Sequence, residues 1–164
     1  MPGRNDRAIA ALRIAVGVLF LIFREYKVFG TEFVFGGEFQ GWIRRFLAEG
    51  AYPFMVPVLR DFVLPHARPL ALLVAYGELA LGSSLVLGLW VRPASLCGLI
   101  YMLALLFSAN YPGPDAPAWQ YVGGALEHLV LALCFAAFLV GDPERVWSVI
   151  TVWRSRPASA HRTS

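Results

Sequence analysis

The chain contains four apolar segments, each about as long as the ~20 residues that a helix needs to cross a bilayer. They cover residues 9–29, 70–89, 94–110 and 121–140. Only 15% of the residues are charged, where soluble domains have about 25%, and the mean hydropathy is +0.60. These features predict an all-α fold: a polytopic membrane four-helix bundle formed by residues 1–145. Residues 146–164 are predicted to form an interfacial helix and a disordered cytoplasmic tail.

The distribution of arginine predicts the orientation of these spans. Connections on the cytoplasmic side of a membrane protein carry the excess of Lys and Arg. A cytoplasmic N-terminus, with the first apolar run retained as a span, places most arginines inside. The inner set is Arg4, Arg7, Arg13, Arg92, Arg145, Arg154, Arg156 and Arg162. We therefore expect a multi-pass protein of the cell's inner (cytoplasmic) membrane with both termini in the cytoplasm. The net charge of +3 follows from this bias, so no nucleic-acid partner is predicted.

The first outer connection, residues 30–68, is too long to be a simple connector. Within it, the stretch "EFQGWIRRFLAEG" spaces apolar residues at helical intervals, with Arg44 and Arg45 on the opposite side. This pattern predicts an extracytoplasmic amphipathic helix across the outer mouth of the bundle. Two interpretations are open: a lid or partner-docking surface, and an anchor on the membrane surface. The sequence alone favours the anchor.

Ionisable residues inside the predicted spans are the strongest functional signal, because a charge in hydrocarbon needs a partner, water or a protein interior. Glu78 lies roughly 12 Å into the second span at about 1.5 Å per residue. Glu127 and His128 are predicted at a similar depth in the fourth. The first span adds Arg24, Glu25 and Lys27 in its outer half, and Arg13 lies on the same stripe as Arg24 and Lys27.

Convergence of these groups from several helices has two interpretations. One is a structural network of ion pairs that fixes helix order. The other is a pocket that opens outward and binds a small polar headgroup or moves protons. The third span can add Ser108 and Asn110 near the mouth, with Tyr101 deeper.

Cofactor ligands are scarce. Cys97 and Cys134 are single residues without a CxxC pair, and His128 is the one histidine inside a predicted span. A thiol relay and a bis-histidine haem are therefore not expected, and no metal-binding spacing is visible.

Two stretches resemble a known family. "LRIAVGVLFLIFREYKVFG" resembles the first helix of the DoxX family, and "GELALGSSLVLGLWVRPASLCGLIYML" resembles its second and third helices. The resemblance maps family positions onto Arg13, Lys27, Glu78 and Arg92. DoxX relatives, among them DoxD, include the membrane part of a thiosulfate:quinone oxidoreductase.

The resemblance implies the membrane subunit of a quinone-linked oxidoreductase. Quinone is then the expected cofactor, and membrane lipid and a redox-partner protein or larger complex are the expected partners. A non-catalytic scaffold subunit is the alternative, and a small-solute carrier is a weaker third, since no paired broken helices are visible. Homo-oligomerisation stays open.

Overall fold

A computed structural model describes residues 3–23, 31–141, 143 and 146–149 of the chain. Within these residues the regular structure is entirely helical, which confirms the predicted all-α class. The helices are α1 (Arg4–Phe23), α2 (Thr31–Val34), α3 (Glu38–Glu49), α4 (Met55–Pro57), α5 (Ala67–Leu87), α6 (Val91–Ser108), α7 (Ala118–Gly123) and α8 (Leu126–Val140). A π-helical turn, Val58–Val63, continues directly from α4.

Two of the described helices, α5 and α6, are long and apolar enough to cross a membrane. The apolar helix α8 is shorter, at 15 residues. Helix α1 has 20 residues, and the rest of the predicted first span lies outside the described residues. The crossing of all four helices therefore stays a prediction.

The long helices associate as two close pairs, α1 with α5 and α6 with α8. Glycine permits both contacts, because backbones approach closely where no side chain intervenes. A Cβ on Gly17 would lie 2.9 Å from the carbonyl oxygen of Gly82, and one on Gly98 would lie 2.5 Å from the Phe135 ring. The two pairs share a core that includes Phe20, Leu85 and Phe135.

The predicted fourth span is broken in the structure. Helix α7 ends at Gly123, α8 begins at Leu126, and Ala125 between them has a non-helical backbone (φ −140°, ψ 47°). The Asn110 side-chain Nδ2 donates a 3.0 Å hydrogen bond to the Gly124 carbonyl. The break is explained by two features: the Gly124 carbonyl is bound by Asn110, and Gly123 and Gly124 are successive glycines, which are poor helix formers.

Residues 31–66, here called the cover, fold back over one end of the long helices. Gly37 (φ 88°) and Gly50 (φ 93°) flank α3 in left-handed conformations that favour glycine. Beyond Gly50, the cover is attached to the bundle by backbone bonds. The Tyr111 amide donates to the Gly50 carbonyl at 2.8 Å, and the Tyr52 amide donates to the Phe107 carbonyl at 3.1 Å.

Tyr52 strengthens this attachment through its side chain. Its hydroxyl donates a 2.7 Å hydrogen bond to the Tyr121 carbonyl, and its ring lies against those of Phe107 and Tyr111. Burial raises the pKa of the Tyr52 hydroxyl above its ordinary value of 10.0, and Tyr121 and Tyr111 add to the rise. The hydroxyl therefore remains a neutral donor.

Candidate functional site

A cavity of about 420 Å³ lies between the cover and the halves of α5 and α6 that are nearest to it. This volume falls within the ~300–1,000 Å³ typical of small-molecule sites. Sixteen residues line it and none of them is charged. Its walls are Phe33, Phe39, Trp42, Ile43, Phe46, Met55, Val58, Leu59, Phe62, Val63, Leu70, Val74, Tyr101, Ala104, Leu105 and Ser108.

The apolar side of α3 forms much of this wall, because helical spacing brings Phe39, Ile43 and Phe46 to one face. Leu59 and Val63, four residues apart in the π-helical turn, complete the facing side. Ile43 and Leu59 are 5% and 3% exposed. The apolar face of the amphipathic helix predicted from the sequence is therefore packed against the bundle. Whether this helix acts as a lid or as an anchor on the membrane surface stays a prediction.

A hydrogen-bonded pair provides the polar end of the cavity. The Tyr101 hydroxyl, which lines the cavity, donates to Glu78 Oε1 at 2.7 Å. Glu78 is 7% exposed in the middle of α5 and does not itself line the cavity. The hydrogen of the Tyr101 hydroxyl is committed to the carboxylate, so its oxygen can accept a hydrogen bond from a ligand.

Ser108 is the other hydroxyl in the wall. Its Oγ donates to the Ala104 carbonyl at 2.6 Å, within α6. This bond is a common way for a buried serine to satisfy its own hydrogen in a helix. Ser108 can still accept a hydrogen bond, so the two hydroxyls of the wall both face a ligand as acceptors.

Glu127 and His128 lie closer to the end of the bundle that carries the cover than the sequence predicts. Because of the break at Gly124, they occupy the first turn of α8. The contact of Gly98 with Phe135 and the bond of Asn110 to Gly124 fix the register of α6 and α8. That register sets His128 about level with Leu105, about 6 Å nearer the cover than Tyr101.

The environment of Glu127 and His128 also differs from the one that the sequence predicts. The Glu127 side chain is 70% exposed, and its Oε1 lies 3.3 Å from His128 Nδ1. An acidic residue in the first turn of a helix is favourable beside the positive end of the helix dipole. The position of Glu127 is therefore favourable for the helix, and the part of either residue in function stays a prediction.

Arg13 lies toward the opposite end of α5 from the cavity. It is fully buried, and its Nη2 donates a 2.7 Å hydrogen bond to the Trp147 carbonyl. Its guanidinium lies against Gly88, the left-handed residue that ends α5 (φ 69°). Gly88 is ten residues from Glu78, or about 15 Å along the helix. A cation at a helix C-terminus is favourable, so Arg13 joins α1, α5 and the segment after α8.

The predicted charge cluster is thus divided between levels of the molecule. The structure brings Glu78 together with Tyr101 and places Arg13 elsewhere. Arg24, Glu25 and Lys27 lie outside the described residues. The sequence pattern placed Tyr101 and Ser108 among the groups that could reach an outward-opening polar pocket, but it did not predict the Tyr101–Glu78 bond or the apolar lining of the cavity. The sequence feature that could have indicated the cavity is the high aromatic content of the cover.

The sequence model of the DoxX family matches residues 8–111. This range is well over half of the 164 residues. The chain belongs to the DoxX family. Together with the apolar helices, this membership identifies a membrane protein. The matched range includes Glu78 and every residue that lines the cavity, and it ends before Glu127 and His128. No curated protein and no solved structure matches the chain.

Proposed function

We propose that this DoxX protein is the membrane subunit of a quinone-linked oxidoreductase and that it binds the quinone ring in the cavity under the cover. One observation carries the proposal: an uncharged, aromatic cavity has a single polar pair at its inner side, Tyr101 hydrogen-bonded to Glu78. The closer relation to DoxD is part of the same proposal.

The lining fits a flat, neutral ring. Phe33, Phe39 and Phe46 offer aromatic surface, which packs well against another ring. A phosphate or carboxylate ligand would find no cation in the wall, and burying an unpaired charge is costly. These features favour a quinone over a charged solute and count against the carrier alternative.

Tyr101 and Glu78 would handle the proton at this site. A bound quinone supplies reversible transfer of two electrons and two protons. When a quinol is oxidised, Tyr101 Oη can accept one of its two protons while it passes its own across the 2.7 Å bond to Glu78 Oε1, and the other proton is released to water. The burial of Glu78 limits exchange of the proton that it receives with bulk water. The sequence offers no haem or cluster ligands, so we assign the electron transfer to the redox centre of a partner protein.

The proposed topology has four spans, with both termini on the cytoplasmic side of the inner membrane. It is supported by the close packing of α1 and α8 on the two apolar helices. It is also supported by the position of Arg13 and Trp147 at the end of α5 remote from the cover. In this orientation the cavity lies in the outer half of the membrane.

A scaffold subunit is the second candidate, because the same polar contacts could serve assembly alone. The Tyr101–Glu78 bond joins α6 to α5, and the Arg13–Trp147 bond joins α1 to the segment after α8. Buried polar contacts of this kind can specify helix order without adding stability.

Quinol binding to the protein in lipid nanodiscs separates the two candidates. Tyr101→Phe removes one hydroxyl from the cavity and keeps the ring. We expect the quinol affinity to fall about five- to tenfold, as for a lost hydrogen bond of ~1–1.5 kcal/mol. Tyr76→Phe is the matched control, since Tyr76 is also in the bundle but is 59% exposed and outside the cavity. Equal affinities of the two variants, or no affinity in the parent, would favour the scaffold.

A further inference from the structure

The cavity has an opening, and three residues define it. Among the lining residues, Trp42, Val58 and Phe62 are exposed, at 39%, 42% and 56%. All other lining residues are buried or half-buried. A side chain that both lines a cavity and contacts the exterior marks its edge. These three residues, here called the rim, therefore surround the way in.

The rim is apolar, although charged residues lie beside it in the sequence. Arg60 pairs with Asp61 at 2.8 Å, and Arg45 pairs with Glu49 at 2.6 Å. These cations are already matched by neighbouring carboxylates and contribute nothing to the lining. An opening that faced water would be expected to carry polar side chains, whereas lipid favours an apolar edge.

The surroundings of the rim have the character of a membrane interface. Phe54, Val58 and Phe62 recur every four residues and are all exposed. The Arg45 guanidinium lies 5.4 Å from the centre of the Trp42 ring. Tryptophan with an adjacent cation is typical of the boundary between hydrocarbon and headgroups. On α5, the nearby Leu73 is 67% exposed, which suits a surface in contact with lipid.

The geometry points to sideways loading: the cavity opens into the bilayer and takes a neutral, long-tailed molecule, with the ring inside and the tail passing the rim into lipid. This inference rests on the proposed function and defines its ligand as a membrane-dissolved isoprenoid quinone. A water-soluble, tail-less quinone would lack both the route and the contacts of the tail.

Trp42 supplies a reporter for this inference, because quinones quench indole fluorescence. In nanodiscs, a variant that keeps Trp42 and has phenylalanine at the other four tryptophans would be titrated with an isoprenoid quinone and with its tail-less analogue. We expect saturable quenching at least tenfold tighter for the tailed molecule. A variant that keeps only Trp119, which lies outside the cavity and is 67% exposed, should show only linear, collisional quenching.

Phe62→Arg tests the route by placing a charge on the rim. It should weaken binding of the tailed quinone about tenfold or more and leave the tail-less analogue unchanged. Phe35→Arg is the control, because Phe35 is on the cover, 66% exposed and outside this cavity. Val58→Ser is a milder rim variant that keeps the test available if Phe62→Arg folds poorly.

The outcomes separate the two proposals. Equal affinity of the parent for both quinones, or equal losses for both in the rim variants, would overturn loading from lipid while leaving the quinone site in place. Absence of saturable binding of either quinone to the parent would overturn the proposed function and this inference with it.

Discussion

The bond between Tyr101 and Glu78 should contribute measurably to the stability of the bundle. Tyr101→Phe removes the hydroxyl and leaves the buried Glu78 carboxylate without a 2.7 Å donor. Hydrogen bonds to charged groups contribute about 1.5–3 kcal/mol. The Tyr101 side chain is half-buried, so the lower part of that range, about 1.5 kcal/mol, is the expected loss in the free energy of unfolding.

A double-mutant cycle isolates this contact. Glu78→Gln removes the charge and keeps the shape, so Tyr101→Phe should cost less in the Glu78→Gln background than in the parent. We expect a coupling free energy of about 1 kcal/mol, measured by denaturant unfolding in detergent micelles. Tyr76→Phe, at an exposed position, should change stability by less than ~0.5 kcal/mol. A Tyr101→Phe variant as stable as Tyr76→Phe, or strict additivity in the cycle, would show that the Tyr101–Glu78 bond does not stabilise the bundle.

Three further predictions concern packing, topology and the cover. Gly17→Ala should lower the free energy of unfolding by about 1–3 kcal/mol, because the new Cβ would lie 2.9 Å from neighbouring backbone and side-chain atoms. Gly77→Ala is the control, since the space around Gly77 is open. Equal unfolding curves for the two variants would contradict the close contact between α1 and α5. In intact cells of a variant without native cysteines, an impermeant thiol reagent should label a cysteine at Asp115 and spare one at Ser159, and the reverse pattern would invert the topology. Because the pKa of Tyr52 is raised in the folded protein, its neutral hydroxyl contributes fully to stability below about pH 10 and contributes less as the pH rises above that value. Tyr52→Phe should therefore reduce the loss of thermal stability at alkaline pH. An unchanged dependence of thermal stability on pH would exclude that role.

The sequence predicted the parts of the fold that depend on the length of continuous apolar segments. The predicted spans 70–89 and 94–110 correspond to α5 and α6, with ends shifted by two or three residues. A continuous apolar segment of this length is compatible with few structures other than a long helix. The break before α8 was missed, since the run continues through Gly123 and Gly124 and the deciding bond comes from distant Asn110. Contacts between residues far apart in the chain leave no periodic signal.

The candidate site was predicted only in part. Glu78 stood out because a carboxylate inside a span needs a reason. Its partner Tyr101 did not, since an aromatic residue inside a span is ordinary. The cavity depends on which way the apolar face of α3 turns, and an amphipathic helix has the same pattern whether it covers lipid or protein. Only the three-dimensional arrangement separates those cases.

Photoaffinity labelling would locate the bound quinone in the protein. An isoprenoid quinone with a photoreactive group on its ring would be bound to the protein in nanodiscs, irradiated, and located by peptide mass spectrometry. We expect cross-links in residues 39–63 of the cover and 101–108 of α6, and excess unmodified quinone should suppress them. Cross-links concentrated at Glu127 and His128, or none that unmodified quinone suppresses, would contradict the proposed quinone site.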